Sequence, residues 1–242
     1  MVKIYILELI SPICDKDKSF FLSRLDSSEI KMLPDPEGEN YELLLLGKVL
    51  VKKVISDETS TPIENILISK TTLGKPIIKS PNNLHLDISI SHSGNYLVVG
   101  IYDGGKIGVD IELLKSIDFG VLRNCLSTNE EIYINSGQGI GQRLENFYEI
   151  WTRKEACSKA LGTGLQRPLP ITQFYPDHTK PRTEIRHDNQ QYYLSTLKED
   201  TFVLSVCTTD STQYNQIYTK ITLDKFRSAI ASQKKSDQFR LG

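Results

Sequence analysis

Lys106-Ile107-Gly108-Val109-Asp110-Ile111-Glu112 is the stretch whose reading decides the fold. Side chains of an extended strand alternate between two faces, so Val109 and Ile111 are expected on one side and Asp110 and Glu112 on the other. The apolar side suits a core. The acidic side fits either a solvated strand face or a hard divalent cation, Mg2+ or Mn2+. Gly108 marks either a bulge or a close approach of backbone or ligand.

Working backward, Leu86 to Ser91 alternates Leu86, Ile88 and Ile90 against Asp87, Ser89 and Ser91, and Tyr96 to Tyr102 reads as a second strand across the Ser93-Gly94-Asn95 connection. With the Asp103-Gly104-Gly105 turn, these two and Ile107 to Glu112 are expected to form a three-stranded meander. Residues 42–56 carry Leu43, Leu46, Leu50 and Val54 at helical spacing, with Leu44, Leu45 and Val51 widening the apolar face and Lys48, Lys52 and Lys53 assigned to solvent. Gly47 permits close packing of that helix. Val2 to Ile10 reads as a strand. A short helix is expected near residues 20–25, a turn at 33–38 and a short strand at 66–69.

Working forward, Ser127 with Glu130 and Thr128 with Glu131 offer alternative capping boxes for a short helix. Gly137, Gly139 and Gly141 interrupt the order before a second major helix, Arg143 to Leu161, closed by Gly162 and Gly164. Pro168, Pro170 and Pro176 predict a loop, followed by a polar region over 177–190. Strands are expected at 192–197, 201–207 and 216–223, a terminal helix at 224–232, and a frayed polar tail at 233–242. The order strand, helix, paired strands therefore recurs on both sides of Gly105. It predicts an α+β chain of two similar lobes, residues 1–105 and 106–232, with a cleft between them suited to a ligand.

With 29 basic and 30 acidic residues among 242, the net charge of −1 lacks the broad basic footprint of a nucleic-acid binder, while leaving room for a local phosphate pocket. No apolar run approaches the roughly 20 residues of a membrane helix, and residues 1–8 lack a secretion-signal pattern. Cys14, Cys125, Cys157 and Cys207 are scattered without a Cys-x-x-Cys pair, which fits reduced thiols and a cytoplasmic location.

The second informative segment is Trp151-Thr152-Arg153-Lys154-Glu155-Ala156, followed by Lys159. Glu155 and Lys159 stand one helical turn apart, with Trp151 one turn earlier. They fit either a surface ion pair beside a buried aromatic or one wall of a site. If folding brings Glu155 beside Asp110 and Glu112, three carboxylates repel one another unless protonated or neutralised, which calls for a cation.

In this order, Gly74-Lys75-Pro76, Ile88-Ser89-Ile90-Ser91-His92-Ser93, Gly108-Val109-Asp110-Ile111-Glu112 and Trp151 to Ala156 with Lys159 resemble the 4'-phosphopantetheinyl transferases of the two-lobed kind, which modify carrier domains of peptide and polyketide synthases. The resemblance implies a pseudo-twofold α+β fold, with coenzyme A as substrate and Mg2+, or Mn2+ as the alternative, at the lobe interface. It also implies transfer of phosphopantetheine to a serine of an apo peptidyl, acyl or aryl carrier domain, with release of 3',5'-ADP. It assigns Asp110, Glu112 and Glu155 to the metal, with Glu155 either general base or metal ligand alone, and Lys159 to the diphosphate. Lys75 is assigned to the coenzyme phosphates or adenine. Ser91 and His92 go to the nucleotide end, with His92 for the 3'-phosphate. Lys154 is a further phosphate contact, although its side chain leaves the helix about 100° from that of Glu155.

Many resembling enzymes carry a phosphate-binding arginine four residues before the Gly47 position, where this chain has Leu43. Leu122, Leu126, Ile132, Tyr133 and Ile140 fit either a carrier-docking patch or a satellite core. A noncatalytic coenzyme A and carrier-protein binding module of the same fold is the alternative reading. A different Mg2+-dependent phosphotransferase is a third; a nuclease lacks the nucleic-acid footprint. Because one chain supplies both sides of the cleft, a monomer is expected, with no nucleic-acid or membrane partner.

Overall fold

The computed structural model describes residues 1–118, 126–164, 174, 183–187, 189–209 and 216–238. The chain runs β1 (Lys3–Glu8), α1 (Asp15–Leu22), α2 (Ser27–Ile30), α3 (Tyr41–Thr59), β2 (Leu67–Lys70), β3 (Pro76–Ser80), β4 (Asp87–Ser93), β5 (Tyr96–Tyr102) and β6 (Ile107–Leu113). It continues through α4 (Thr128–Asn135), α5 (Gly139–Leu161), β7 (Thr183–His187), β8 (Gln190–Lys198), β9 (Phe202–Thr208), β10 (Ile217–Ile221) and α6 (Leu223–Gln238). Cys125, Leu122, the three loop prolines and residues 177–182 and 188 lie outside the described residues; within the polar stretch, β7 is a strand that the composition concealed.

Two four-stranded sheets, ordered β10-β1-β5-β4 and β6-β9-β8-β7, make the α+β architecture. Strand alternation sets the layers. Ile4 and Ile6 of β1 meet Val109 and Ile111 of β6 and Leu204 and Val206 of β9 in a core between the sheets. Leu7 of β1, with Leu97, Val99 and Ile101 of β5, faces the other way onto Leu46, Leu50 and Val54 of α3. On the far side, Val203 and Cys207 of β9 face Ile150, Ala156 and Ala160 of α5. The result is helix, sheet, sheet, helix, with each apolar face covered.

The expected meander is corrected. β4 and β5 form the hairpin, but β6 leaves it and pairs antiparallel with β9, from Ile107 opposite Thr208 to Leu113 opposite Phe202. The end of the chain returns across the lobe boundary drawn at residue 105. β10 adds parallel to β1, with Lys3 opposite Ile217, and Phe226 and Ile230 of α6 enter the α3 core. α6 also continues past Ser232 to Gln238.

Lys52 and Lys53 are not on a solvent face: they are 1% and 9% exposed. Lys52 runs inward to Glu29, Nζ to Oε2 at 2.8 Å. Glu29 also accepts the Ile68 N–H on Oε1 at 2.9 Å and closes a capping box with Asp26 at the start of α2. A buried pair is better tolerated when its carboxylate finds further hydrogen bonds, as Glu29 does here. Ser127, rather than Thr128, caps α4, with Glu130 completing its box. α5 begins at Gly139, so the glycines expected to interrupt it include its first turn, and it ends at Gly162 in the left-handed region at φ 72°.

Candidate active site

α5 is held on its sheet by its polar residues. Arg153, 5% exposed, donates to Thr196 Oγ1 at 2.8 Å, Thr183 Oγ1 at 2.8 Å and the Phe174 carbonyl at 3.0 Å, and pairs with Glu149 at 2.8 Å. Thr152 Oγ1 shares a hydrogen bond with Ser205 Oγ at 2.8 Å. Trp151 is half-buried and stacks on Phe147 with ring centroids 6.1 Å apart. With these residues occupied by the sheet and its core, Glu155 and Lys159 are presented to the cleft.

Gly108 brings β6 against that helix. An added Cβ there would overlap the Ala156 carbonyl oxygen and lie 2.5 Å from the Ala160 nitrogen. At this separation Asp110, 4% exposed, reaches Lys159: Nζ donates to Oδ1 at 2.7 Å. Ser91 Oγ donates to the same oxygen at 2.8 Å and accepts from Lys159 at 2.9 Å. Asp110 Oδ2 is buried without a partner among the described residues. Glu112 is half-buried and accepts from Ser93 Oγ on Oε2 at 2.7 Å.

Among the described residues Glu155 makes no hydrogen bond or ion pair, and its carboxyl is pushed up to about 7 by burial, then by the charge of Asp110; Lys159 opposes and Glu112 adds to the rise. Burial also raises Asp110 against the pull of Lys159, and raises Glu112 against its Ser93 hydrogen bond. Glu155 thus feels both of the others, and Glu112 feels Asp110.

A pocket of about 220 Å³ has one wall from Leu73 to Pro76, Ser89 and Ile90, and the other from Glu155, Lys159 and Gly162. Lys75 spans both halves: its Nζ donates to Asp87 Oδ2 at 2.6 Å and the Ile107 carbonyl at 3.2 Å. Burial lowers its pKa, with Asp87 opposing. A second pocket, about 200 Å³, shares Gly74, Pro76 and Ile90 with the first and continues it to His92, Leu43, Lys48 and Lys70. Burial first, then the charge of Lys159, keeps His92 below its usual range, so the neutral ring is the form present at pH 7.

The structure thus brings together Asp110, Glu112, Glu155 and Lys159, with Lys75 on the facing wall. It separates Ser91 from His92. As strand neighbours they point to opposite faces, and the Ser91 hydroxyl is taken up by Asp110, Lys159 and the Ile111 N–H rather than turned to a nucleotide. Lys154 goes elsewhere, as its 100° offset foreshadowed: its Nζ pairs with Glu130 Oε2 beneath α4 at 2.7 Å. Lys48, expected on another side of α3 from Leu43, lines the same pocket. Its pKa is lowered by burial and then by Lys70, a residue that no motif had singled out. Of the expected docking residues, Ile132 and Ile140 are 63% and 77% exposed, whereas Leu126 and Tyr133 pack on the α5 core.

Among the described residues no three His, Cys, Asp or Glu side chains close around a single metal point. Lys159 holds one oxygen of Asp110 in this arrangement. The donor set nonetheless suits a hard cation: all donors are carboxylate oxygens, and one of them, Asp110 Oδ2, is buried with no partner among the described residues.

Comparison with known sequences places the chain among the phosphopantetheinyl transferases. The profile of the 4'-phosphopantetheinyl transferase superfamily matches residues 106–207, and that of the 4'-phosphopantetheinyl transferase N-terminal region matches residues 38–101. The chain is 30% identical over 169 residues to the 4'-phosphopantetheinyl transferase Sfp of Bacillus subtilis, covering 69% of this chain and 74% of that protein. The chain belongs to this superfamily. It is also 29% identical over 184 residues to the 4'-phosphopantetheinyl transferase gsp of Aneurinibacillus migulanus, covering 75% and 74%. A third relative is the L-aminoadipate-semialdehyde dehydrogenase-phosphopantetheinyl transferase of Xenopus laevis, 30% identical over 140 residues, or 54% of this chain and 46% of the relative.

Proposed function

We propose that this protein transfers 4'-phosphopantetheine from coenzyme A to a serine hydroxyl of an apo peptidyl, acyl or aryl carrier domain, with Mg2+ (or Mn2+) bound, releasing 3',5'-ADP. The observation that carries the reading is Glu155, a carboxylate with no partner among the described residues, raised to about 7 in a pocket it shares with Lys75 and Lys159. That value holds with no cation bound; a bound cation would lower it toward the ionised form, which is the form able to take a proton. No finding favours the noncatalytic binding module.

In this mechanism the carrier serine oxygen forms a bond to the phosphorus that bears pantetheine. The P–O bond to the adenosine-side phosphate breaks, and 3',5'-ADP leaves with the bonding pair. Glu155 accepts the serine proton, and Lys159 and Lys75 balance charge on the diphosphate and the leaving group. Asp110, Glu112 and Glu155 would hold the metal, which when bound neutralises and orients the diphosphate. The cleft walls position the two reactants. Ile132 and Ile140 offer an apolar contact for the carrier domain. A cytoplasmic monomer fits the absence, among the described residues, of any helix long and apolar enough to cross a membrane, and a cleft lined by one chain.

The test is the intact mass of apo carrier domains incubated with the protein, coenzyme A and Mg2+, with EDTA as control. A gain of one phosphopantetheinyl group that EDTA abolishes is expected. No gain on peptidyl, acyl or aryl carriers, with coenzyme binding demonstrated, would reject the reaction.

The second pocket supports a place for the nucleotide end. Lys48 and Lys70 have no ion-pair partner among the described residues and repel each other beside His92, an arrangement that an anion relieves. They supply positive charge where Leu43 replaces the arginine of resembling enzymes. Lys70→Ala should raise KM for coenzyme A about 10-fold, the scale of one lost charge-assisted hydrogen bond, and leave KM for 3'-dephospho-coenzyme A within about 2-fold. Equal effects on both substrates would remove Lys70 from the 3'-phosphate.

A further inference from the structure

β6 sets its free edge against the side-chain face of β4 rather than against a backbone. Asp87 Oδ2 accepts the N–H of Ile107 at 2.8 Å, Ser89 Oγ that of Val109 at 3.0 Å, Ser91 Oγ that of Ile111 at 3.4 Å and Ser93 Oγ that of Leu113 at 3.2 Å. Every second residue of one strand thereby satisfies every second N–H of the other, matching two periods of two. Three rungs have a further partner. Asp87 also accepts from Lys75, Ser91 donates its hydroxyl proton to Asp110, and Ser93 donates its own to Glu112.

A serine hydroxyl has one proton and two acceptor positions. Where Ser93 accepts from the Leu113 N–H, its proton is left for the Glu112 carboxylate, and the direction of that bond is set by the strand pairing. One oxygen of Glu112 is thereby taken. The other has no partner among the described residues and is left for a ligand, as Asp110 Oδ2 is left once Ser91 and Lys159 occupy Oδ1.

We infer that Ser93 is a positioning residue: by bridging the Leu113 N–H and Glu112 Oε2 it locks the Glu112 carboxylate in the orientation that presents its other oxygen to the divalent cation. The inference rests on the metal reading above and adds a residue to which the motif resemblance gave no role. A side chain that orients a metal ligand by hydrogen bonding typically changes metal affinity about 10- to 100-fold when removed.

The test is direct titration of the protein with Mn2+ alone, following the free-ion signal by electron paramagnetic resonance, on wild type, Ser93→Ala, Ser93→Thr and Val54→Ala. Val54 lies in the α3 core and touches none of the carboxylates, so its truncation controls for lost stability. Ser93→Ala should weaken Mn2+ binding about 10- to 100-fold. Ser93→Thr, which keeps the hydroxyl, should restore it to within about 3-fold, and Val54→Ala should bind as wild type. Wild-type affinity in Ser93→Ala, or a loss no larger than that of Val54→Ala, overturns the inference; so does a Thr variant that melts as wild type yet binds as weakly as Ala. A wild-type protein that takes up no Mn2+ and still transfers phosphopantetheine in EDTA removes the metal reading itself, and the Ser93 role with it.

Discussion

Glu155→Gln should slow phosphopantetheine transfer about 10²- to 10⁴-fold, the span a positioned general base contributes, while making the metal-free protein more stable at pH 8. The two effects share one cause. Burial and the neighbouring charge of Asp110 raise the Glu155 carboxyl from its ordinary value of 4.5 to about 7. Between those values the folded protein holds a proton that the unfolded chain has released, so wild-type stability falls as pH rises through this window, and the loss is complete above about 7. Glutamine keeps the shape and never ionises. Melts of the two proteins without divalent metal should therefore converge near pH 4.5, with Gln the higher at pH 8. Asp110 and Glu112 are raised in the same sense and remain in both proteins, so the difference reports Glu155 together with its charge coupling to them. Turnover within about 3-fold of wild type would remove Glu155 from proton transfer, and parallel melting profiles across the window would remove the burial account of its pKa.

The site was legible where its chemistry follows a local period. Alternation along β6 places Asp110 and Glu112 opposite Val109 and Ile111, as the layers show. The one-turn spacing of Glu155 and Lys159 puts both on the same pocket wall. Their convergence with β6 is tertiary, and the ordered resemblance, rather than any spacing within one segment, pointed to it.

What stayed hidden depends on partners distant in sequence. The polar face Asp87, Ser89, Ser91, Ser93 reads the same whether it meets water or the N–H row of another strand; only the placement of β6, twenty residues on, distinguishes them. Lys52 has helical spacing and a charge that ordinarily seeks solvent, and nothing local announces Glu29 as its buried partner. The parallel addition of β10 to β1 joins the two ends of the chain, and a strand pattern names no partner. Lys70 lay outside every motif and became visible only as a charge facing Lys48.

Gly108→Ala should be the most damaging conservative change to the fold, lowering stability by about 3 kcal/mol and the melting midpoint by roughly 6–12 °C. The new methyl group would meet backbone, the Ala156 carbonyl and the Ala160 nitrogen, instead of a side chain able to rotate away. Relief therefore requires β6 and α5 to part. β6 is fixed on its other sides, by pairing with β9 and by the side-chain row of β4, and α5 is fixed by Arg153 and Thr152. Neither can move without breaking buried hydrogen bonds. Separation would also draw Asp110 from Lys159 and Glu155, so the residual folded protein should bind Mn2+ and turn over less well than its stability alone requires. A Val54→Ala protein brought to the same fraction folded supplies the comparison. A midpoint within about 2 °C of wild type would show that the two elements have slack, and normal Mn2+ affinity in a destabilised Gly108→Ala protein would show that the distance from strand to helix does not set the geometry of the carboxylates.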